Sequence, residues 1–500
     1  MNKKNAWEKY PQQNKNIVFE FSESYKTFIS DCKTERECIS WVKKQADAAG
    51  FLDLNTVIKD KKRLKAGDKV YVDNMGKSMA LFTIGKQPLE MGMNILGAHV
   101  DSPRLDLKQN PIYEDTDLVL LDTHYYGGVK KYQWVTLPLA IHGILIKKDG
   151  TKVEVNIGDK EDDPVFGISD LLIHLSSDQL EKKASKVIEG ENLDVLIASI
   201  PFISDEDDKE SKCEAGDKEL KCEAEDKAED REGKADNEKG NSKKGKVKDA
   251  VKVNVLNILK EQYDIEEEDF LSAEIELVPA GKARDYGIDR SMVMGYGHDD
   301  RVCAFPSFMA LLEVGECEKT SVCLLVDKEE VGSVGATGMH SKFFEYAVAE
   351  ILNAMDSYSQ ITFNRAMNHS NVLSSDVSAA FDPLYPSVME KKNAAYFGKG
   401  LVFNKYTGAR GKSNCNDANP EYMANLRRIM EEADVSYQTS ELGKVDQGGG
   451  GTIAYILANY NMQVIDSGIA VLNMHAPWEI ISKVDLYEAK KGYAAFLKEA

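Results

Sequence analysis

No two cysteines in this 500-residue chain stand at CxxC spacing. The eight present, Cys32, Cys38, Cys213, Cys222, Cys303, Cys317, Cys323 and Cys415, follow no pattern. A thiolate zinc site and a disulfide framework are therefore not expected; reduced thiols in a cytoplasmic protein are. A membrane-spanning run is also missing. The longest apolar stretch, 135–146, contains Pro138 and His142 and is too short to cross a bilayer. The first residues carry lysines with no apolar segment behind them, so no secretory signal is expected. Basic residues are in deficit: 63 Lys+Arg against 83 Asp+Glu give a net charge of −20. That balance disfavours nucleic acid and anionic membranes as partners and attracts cations. What is there is 42% hydrophobic residues, enough for a packed interior, in a chain long enough for two or three domains.

Five separate turns each present a metal-ligand residue, most of them at the end of a short apolar segment. The run Ser321-Val322-Cys323-Leu324-Leu325-Val326 stops at Asp327-Lys328-Glu329-Glu330 and is followed by Gly332, Gly335 and Gly338. Asn94-Ile95-Leu96-Gly97-Ala98 runs into His99-Val100-Asp101, whose outer members point the same way on extended backbone. Asp299-Asp300 stands where a helix begins, Asp376 follows Leu373-Ser374-Ser375, and His475 follows Val471-Leu472-Asn473-Met474. Any one of these reads as a solvated turn. Together, two histidines and three carboxylates suit a pair of divalent ions, zinc foremost. Two adjacent glutamates can divide the work, one gripping metal and one moving protons. The residues alone do not say which does which.

Around these turns the chain changes character. Residues 7–60 read as helices, the second stopped by Gly50, and 68–85 as a hairpin. From 111 to about 279 short strands alternate with polar turns, which predicts a β-rich insert, domain 109–284, interrupting a catalytic domain made of 1–108 and 285–500. Within it, 204–249 is nearly devoid of large apolar residues and reads as a disordered acidic and lysine-rich loop. Beyond 299, helices are expected at 303–313, 341–356, 420–433, 451–459 and 484–498, with strands at 321–326 and 468–472. That alternation predicts an α/β fold with helices on both faces of a mixed or parallel sheet.

The ordered set His99-Val100-Asp101-Ser102-Pro103, Asp299-Asp300-Arg301, Asp327-Lys328-Glu329-Glu330-Val331-Gly332-Ser333, Ser375-Asp376 and Met474-His475-Ala476 resembles the motifs of the M18 metalloaminopeptidases, and more broadly the dizinc peptidase clan. The resemblance spans nearly all of the chain outside the low-complexity loop. It implies a mixed-sheet dizinc peptidase domain with an inserted β-rich oligomerisation or lid domain. It implies that His99 and Asp376 hold one zinc, Glu330 and His475 the other, and Asp299 bridges both. Asp300 would sit where the family has Asn or Asp. Asp101 would orient His99. Glu329 would be the general base, acting on a metal-bridged water to release the N-terminal residue of a peptide. Family members assemble as dodecamers built from dimers, so a homo-oligomer is expected.

The remaining features leave alternatives open. His174, on the apolar segment Leu171-Leu172-Ile173-His174-Leu175, reads as a core histidine; the family pattern gives it an oxyanion-stabilising role in a neighbouring subunit's site. His124, His142, His298, His340 and His369 read as structural or solvent-facing. The glycine run at 448–451 with Thr452 lacks P-loop register and reads as a place where Gly450, Gly451 and Thr452 approach substrate. Lys399, Lys405 and Arg410 lie in a loop where the family can set a base against an acidic substrate side chain; the register around Lys405 leaves acidic, neutral and basic preferences open. Two other functions fit the same residues: a dinuclear deacylase or carboxypeptidase of the clan, and a non-catalytic peptide-binding scaffold.

Overall fold

The structure is a computed structural model that describes residues 4–11, 15–203 and 247–500, without the side chains of 409 and 410. Nearly all of the 204–249 stretch, with Cys213 and Cys222, lies outside the described residues. The six cysteines within them are free thiols, five of them buried.

A nine-stranded sheet forms the centre. Its middle strand, Met93–His99, is buried at every residue and pairs in parallel with Thr320–Val326 on one side and Asn371–Ser374 on the other. Gln463–Gly468 adds a further parallel neighbour to Asn371–Ser374. The expected hairpin is present as Lys69–Asn74 and Ser78–Thr83, and the second strand pairs antiparallel with Thr320–Val326. Strands buried on both faces need apolar side chains throughout. That is why these read as continuous apolar runs rather than alternating ones. Helices cover both faces, with Glu35–Ala48, His298–Glu313 and Lys483–Glu499 in one core and Phe343–Ala354 and Ala454–Ala458 in the other.

A five-stranded sheet joins Arg284–Tyr286, Met292–Gly295, Glu479–Ser482, Ala470–Leu472 and Ser378–Ala379. The segment expected as one strand, 468–472, is split between these two sheets. Gly468 sits at the break, where an added Cβ would lie 1.9 Å from the Asp376 carbonyl oxygen.

A third sheet is wholly antiparallel, in the order Lys152–Ile157, Leu139–Ile146, Ala273–Pro279, Arg104–Asp115, Leu118–Tyr126, Val195–Ala198. It has a core of its own around Trp134, Leu121 and Leu277. Arg104–Asp115 is one continuous strand that carries the chain from the central sheet into this one. The region is not purely β: Ala250–Tyr263 is a helix with Val251 and Val255 buried against the sheet. Its apolar positions recur at helical spacing, within a stretch that reads as short strands and polar turns. Gln360–Asn368 is a second unexpected helix, begun by the Ser359 side chain accepting from the Thr362 backbone. Among the described residues, no helix is long and apolar enough to cross a membrane.

Candidate active site

Three parallel neighbours, Met93–His99, Thr320–Val326 and Asn371–Ser374, end at one edge of the central sheet. Their carboxyl ends deliver His99, the Asp327–Glu330 turn and Asp376, and that edge is where open α/β sheets bind ligands. The five-stranded sheet supplies the rest. Asp299 follows Met292–Gly295, and His475 follows Ala470–Leu472. The centre therefore forms where two sheets meet.

The two imidazoles converge on a single carboxylate. Nε2 of His99 lies 3.2 Å from Oδ1 of Asp299, and Nε2 of His475 lies 3.2 Å from Oδ2 of the same side chain. His475 Nε2 is also 3.5 Å from Glu330 Oε2. Ligand atoms of His99, Glu329 and Asp376, of His99, Asp299 and Glu330, and of Asp299, Asp300 and Asp376 form groups within 4.8 Å. The other ring nitrogens are committed. Nδ1 of His99 faces the Asp101 carbonyl at 3.0 Å, and Nδ1 of His475 faces the Gly128 carbonyl at 3.1 Å. A carbonyl oxygen can only accept, so each Nδ1 carries a proton and each Nε2 is the ring nitrogen turned to carboxylate oxygen. At that spacing either a shared proton or a metal ion bridges nitrogen and oxygen. A separation of about 3.3 Å is the edge between two ligands of one tetrahedral zinc.

Electrostatics point the same way. Burial, with Asp299 and Asp101 adding and His475 and His99 opposing, pushes the Glu330 carboxyl well up. Burial and the adjacent acids do the same to Asp376 and Asp300. Both Asp300 oxygens, Asp299 Oδ1 and Glu330 Oε1 are buried without a hydrogen bond. Glu329 is pushed up to about 7, chiefly by burial, with Asp101 and Asp299 reinforcing it against His99. Burial disfavours charge on His475, but Asp299 and Glu330 outweigh it and raise the imidazole to about 10. The cluster is short of positive charge, and its oxygen and nitrogen donors fit zinc.

The framework around it is tied by carboxylates. Asp101 is buried and accepts from the Tyr126 hydroxyl (2.8 Å) and from the backbone N–H groups of Glu329 and Glu330 (3.2 Å each). Its Oδ1 is 3.3 Å from His99 Nδ1. Glu479, also buried, accepts from the backbone N–H of Asp299 (3.0 Å) and of His475 (2.7 Å). The Ser102 hydroxyl donates to the Asp299 carbonyl (2.7 Å). The Asp299–Asp300 peptide is cis.

The family described as Aminopeptidase I zinc metalloprotease (M18) matches residues 28–497. This chain belongs to the M18 family. It is similar to a probable M18 family aminopeptidase 1 of Clostridium acetobutylicum, 59% identical over 99% of this chain and 98% of that one. It is likewise similar to one of Thermotoga maritima, 41% identical over 100% and 99%. The crystal structure of aminopeptidase I from Clostridium acetobutylicum superposes with a TM-score of 0.85 at 57% identity, covering 99% of each chain. The M18 aminopeptidase from Thermotoga maritima gives 0.87 at 40%, covering 100% of each. A yeast mApe1 dodecamer, 19% identical over 96% of this chain and 97% of that one, shares the fold with a TM-score of 0.72. M18 members are zinc aminopeptidases, hydrolases acting on the N-terminal residues of peptides, and this chain is one.

The M18 centre opens into a cavity of about 700 Å³. Glu329, Asp299, Asp376 and His475 line it at one end, and Gly450, Gly451 and Thr452 line it elsewhere. A Cβ at Gly451 would meet open space, whereas one at Gly448 would fall 1.6 Å from the Leu442 carbonyl oxygen. The glycine run thus serves two needs, tight backbone packing at 448 and an open wall beyond it. The Thr452 hydroxyl is spent on Asp466 (2.6 Å). Lys405 is not in the lining; its ammonium pairs with Asp417, and the Arg410 side chain lies outside the described residues.

His174 is exposed on the 3-10 turn Ile173–Leu175, not buried in a core, and does not line this chain's cavity. His298 and His142 are buried, His298 against the Tyr25 hydroxyl and His142 between Glu37 and Asp159. Tyr126, the Gly128 carbonyl and Glu479 escape a reading of the sequence. Glu479 lies four residues past His475, between the strand expected at 468–472 and the helix expected at 484–498, and belongs to no motif. Tyr126 belongs to a different sheet from the residue it serves.

Proposed function

We propose that this M18 member removes single N-terminal residues through a two-zinc centre in which His99 and Asp376 hold one ion, Glu330 and His475 the other, and Asp299 bridges them. The observation that carries this reading is the approach of both Nε2 atoms to the two oxygens of Asp299. Bound zinc supplies Lewis acidity toward the scissile carbonyl and lowers the pKa of a water in the site. Glu329 takes the proton of the attacking water and returns it to the leaving amine. Its carboxyl near 7 suits exchange in both directions at neutral pH. Asp101 orients His99 and, through the backbone of 329–330, holds the base and its neighbour in register. Gly450, Gly451 and Thr452 form the wall along which the peptide backbone lies.

His174, exposed among Leu171, Leu172, Ile173 and Leu175, acts in the site of a second copy as the oxyanion-stabilising group. Those exposed apolar neighbours support burial against a partner subunit in a dimer-based dodecamer, located in the cytoplasm.

The experiment uses aminoacyl reporter amides with metal-stripped and zinc-restored protein. Activity is expected only after restoration, with two zincs per chain. Glu329→Gln is expected to keep its zinc and lose turnover by about 10²- to 10⁴-fold. A variant that hydrolyses peptides normally removes Glu329 from the role of base.

A further inference from the structure

We infer that Glu441 selects the N-terminal residue of the substrate, favouring lysyl and arginyl side chains over acidic ones. The inference rests on the aminopeptidase reading above and adds the substrate class. Glu441 lines the same cavity as Glu329, Asp299 and His475. It stands in the loop that follows the strand Tyr437–Thr439. The other polar groups nearby are occupied with one another. The Ser440 hydroxyl donates to Asn404 Oδ1 (2.6 Å), and the Asn404 amide donates to the Ser378 hydroxyl (2.7 Å). Both bonds fix Asn404 as part of the wall. Thr407, by contrast, lines the cavity with a buried hydroxyl that has no partner, an acceptor or donor left for a ligand.

Glu441 itself is held by a single donor, the Tyr406 hydroxyl at 2.5 Å. That bond orients the carboxylate and leaves most of its acceptor positions open. Two lysines of this region are turned elsewhere. Lys405 and Lys412 both pair with Asp417, and Lys412 lies 3.8 Å over the Tyr406 ring. Among the described residues, no lysine or arginine lines the cavity. The carboxylates at the metal end face one another and the ions they would hold, so Glu441 is the acid whose charge remains for the substrate. A lysyl or arginyl side chain reaching that wall finds an oriented carboxylate. An aspartyl or glutamyl side chain meets a like charge, which costs affinity directly.

The test compares lysyl, leucyl and aspartyl reporter amides on the zinc-loaded full chain and on its Glu441→Gln and Glu441→Lys variants. Gln keeps the acceptor that Tyr406 needs and removes only the charge. In the wild type kcat/KM is expected to favour lysyl over aspartyl by about tenfold or more. Glu441→Gln should bring that ratio near unity, and Glu441→Lys should turn it toward aspartyl. A wild type that prefers aspartyl overturns the inference. So does a Glu441→Gln that lowers all three substrates by a common factor, because it then grips the α-amine or supports the fold. A zinc-loaded wild type that cleaves none of the three overturns the aminopeptidase reading itself, and this inference with it.

Discussion

Two buried clusters of charge lie side by side in this protein, and they are built on opposite plans. One joins Glu35, Lys77, Arg104 and Glu276 where the third sheet meets the central domain. Arg104 lies 3.4 Å from Glu35 and 3.1 Å from Glu276, and Lys77 lies 3.2 Å from Glu35. Burial works against charge on Glu35, but Arg104 and Lys77 outweigh it and hold the carboxyl below its usual range. Only Glu276, its neighbour, is pushed up, by burial first. The other cluster, around Asp299, has five carboxylates and two imidazoles and no lysine or arginine of its own among the described residues. Tyr126 connects them, its ring 3.9 Å under the Arg104 guanidinium and its hydroxyl on Asp101. The lesson is that a buried acid cluster that brings its own cations is structural, and one that does not is waiting for cations from outside.

That contrast can be broken most forcefully at Arg104. Arg104→Ala strands Glu35 and Glu276 without their guanidinium and is expected to destabilise the fold by about 3–5 kcal/mol. Chemical denaturation measures it; an unchanged midpoint means the pairing is dispensable. The opposite sign is expected at the metal centre. Asp300 is fully buried, and neither of its oxygens has a hydrogen bond. Burial and the adjacent acids hold its carboxyl well above the usual range, so Asp300→Asn removes the cost of burying an acid there and should stabilise zinc-stripped protein by about 1–2 kcal/mol. The gain should shrink once zinc is restored. A lower melting temperature in the stripped variant would show that this cluster is not short of positive charge.

The smallest effect is expected at His142, which sits 2.8 Å from Glu37 and 3.0 Å from Asp159. Burial disfavours its charged form, but Asp159 and Glu37 outweigh it and raise the imidazole above its usual value. Because the folded value is the higher one, this stability is complete below about pH 6.5 and fades as pH rises through the folded value. Glu37 and Asp159 are depressed, so their share is present above about pH 4 and is lost on acidification. His142→Gln should flatten the alkaline decline by no more than about 2 kcal/mol. Melting temperatures across pH read it; an equal decline in both proteins removes His142 from the account.

Much of the site was legible because side chains that must converge on one point stand on short, stiff supports. A strand that ends at a site residue leaves that signature in the sequence, as with His99 at the end of Met93–His99 and Glu329-Glu330 after Thr320–Val326. Supporting groups leave none. Glu479 acts through two backbone N–H groups and Tyr126 through one hydroxyl, and neither needs any fixed spacing from what it holds. Helix Ala250–Tyr263 was hidden for a different reason: it lies within the 111–279 stretch that reads as short strands and polar turns.

The amino-acid order alone determined the buried parallel strands, the residue types at their ends and the family to which the motifs belong. These follow from local chemistry: apolar runs bury, and acids at their ends need a reason. Only the tertiary structure decided that Asp299 faces both imidazoles, that Lys405 turns to Asp417, and that Glu441 is left in the cavity wall. Those outcomes depend on which distant loops meet across two sheets, and contact over hundreds of residues is set by packing rather than by any short stretch of chain.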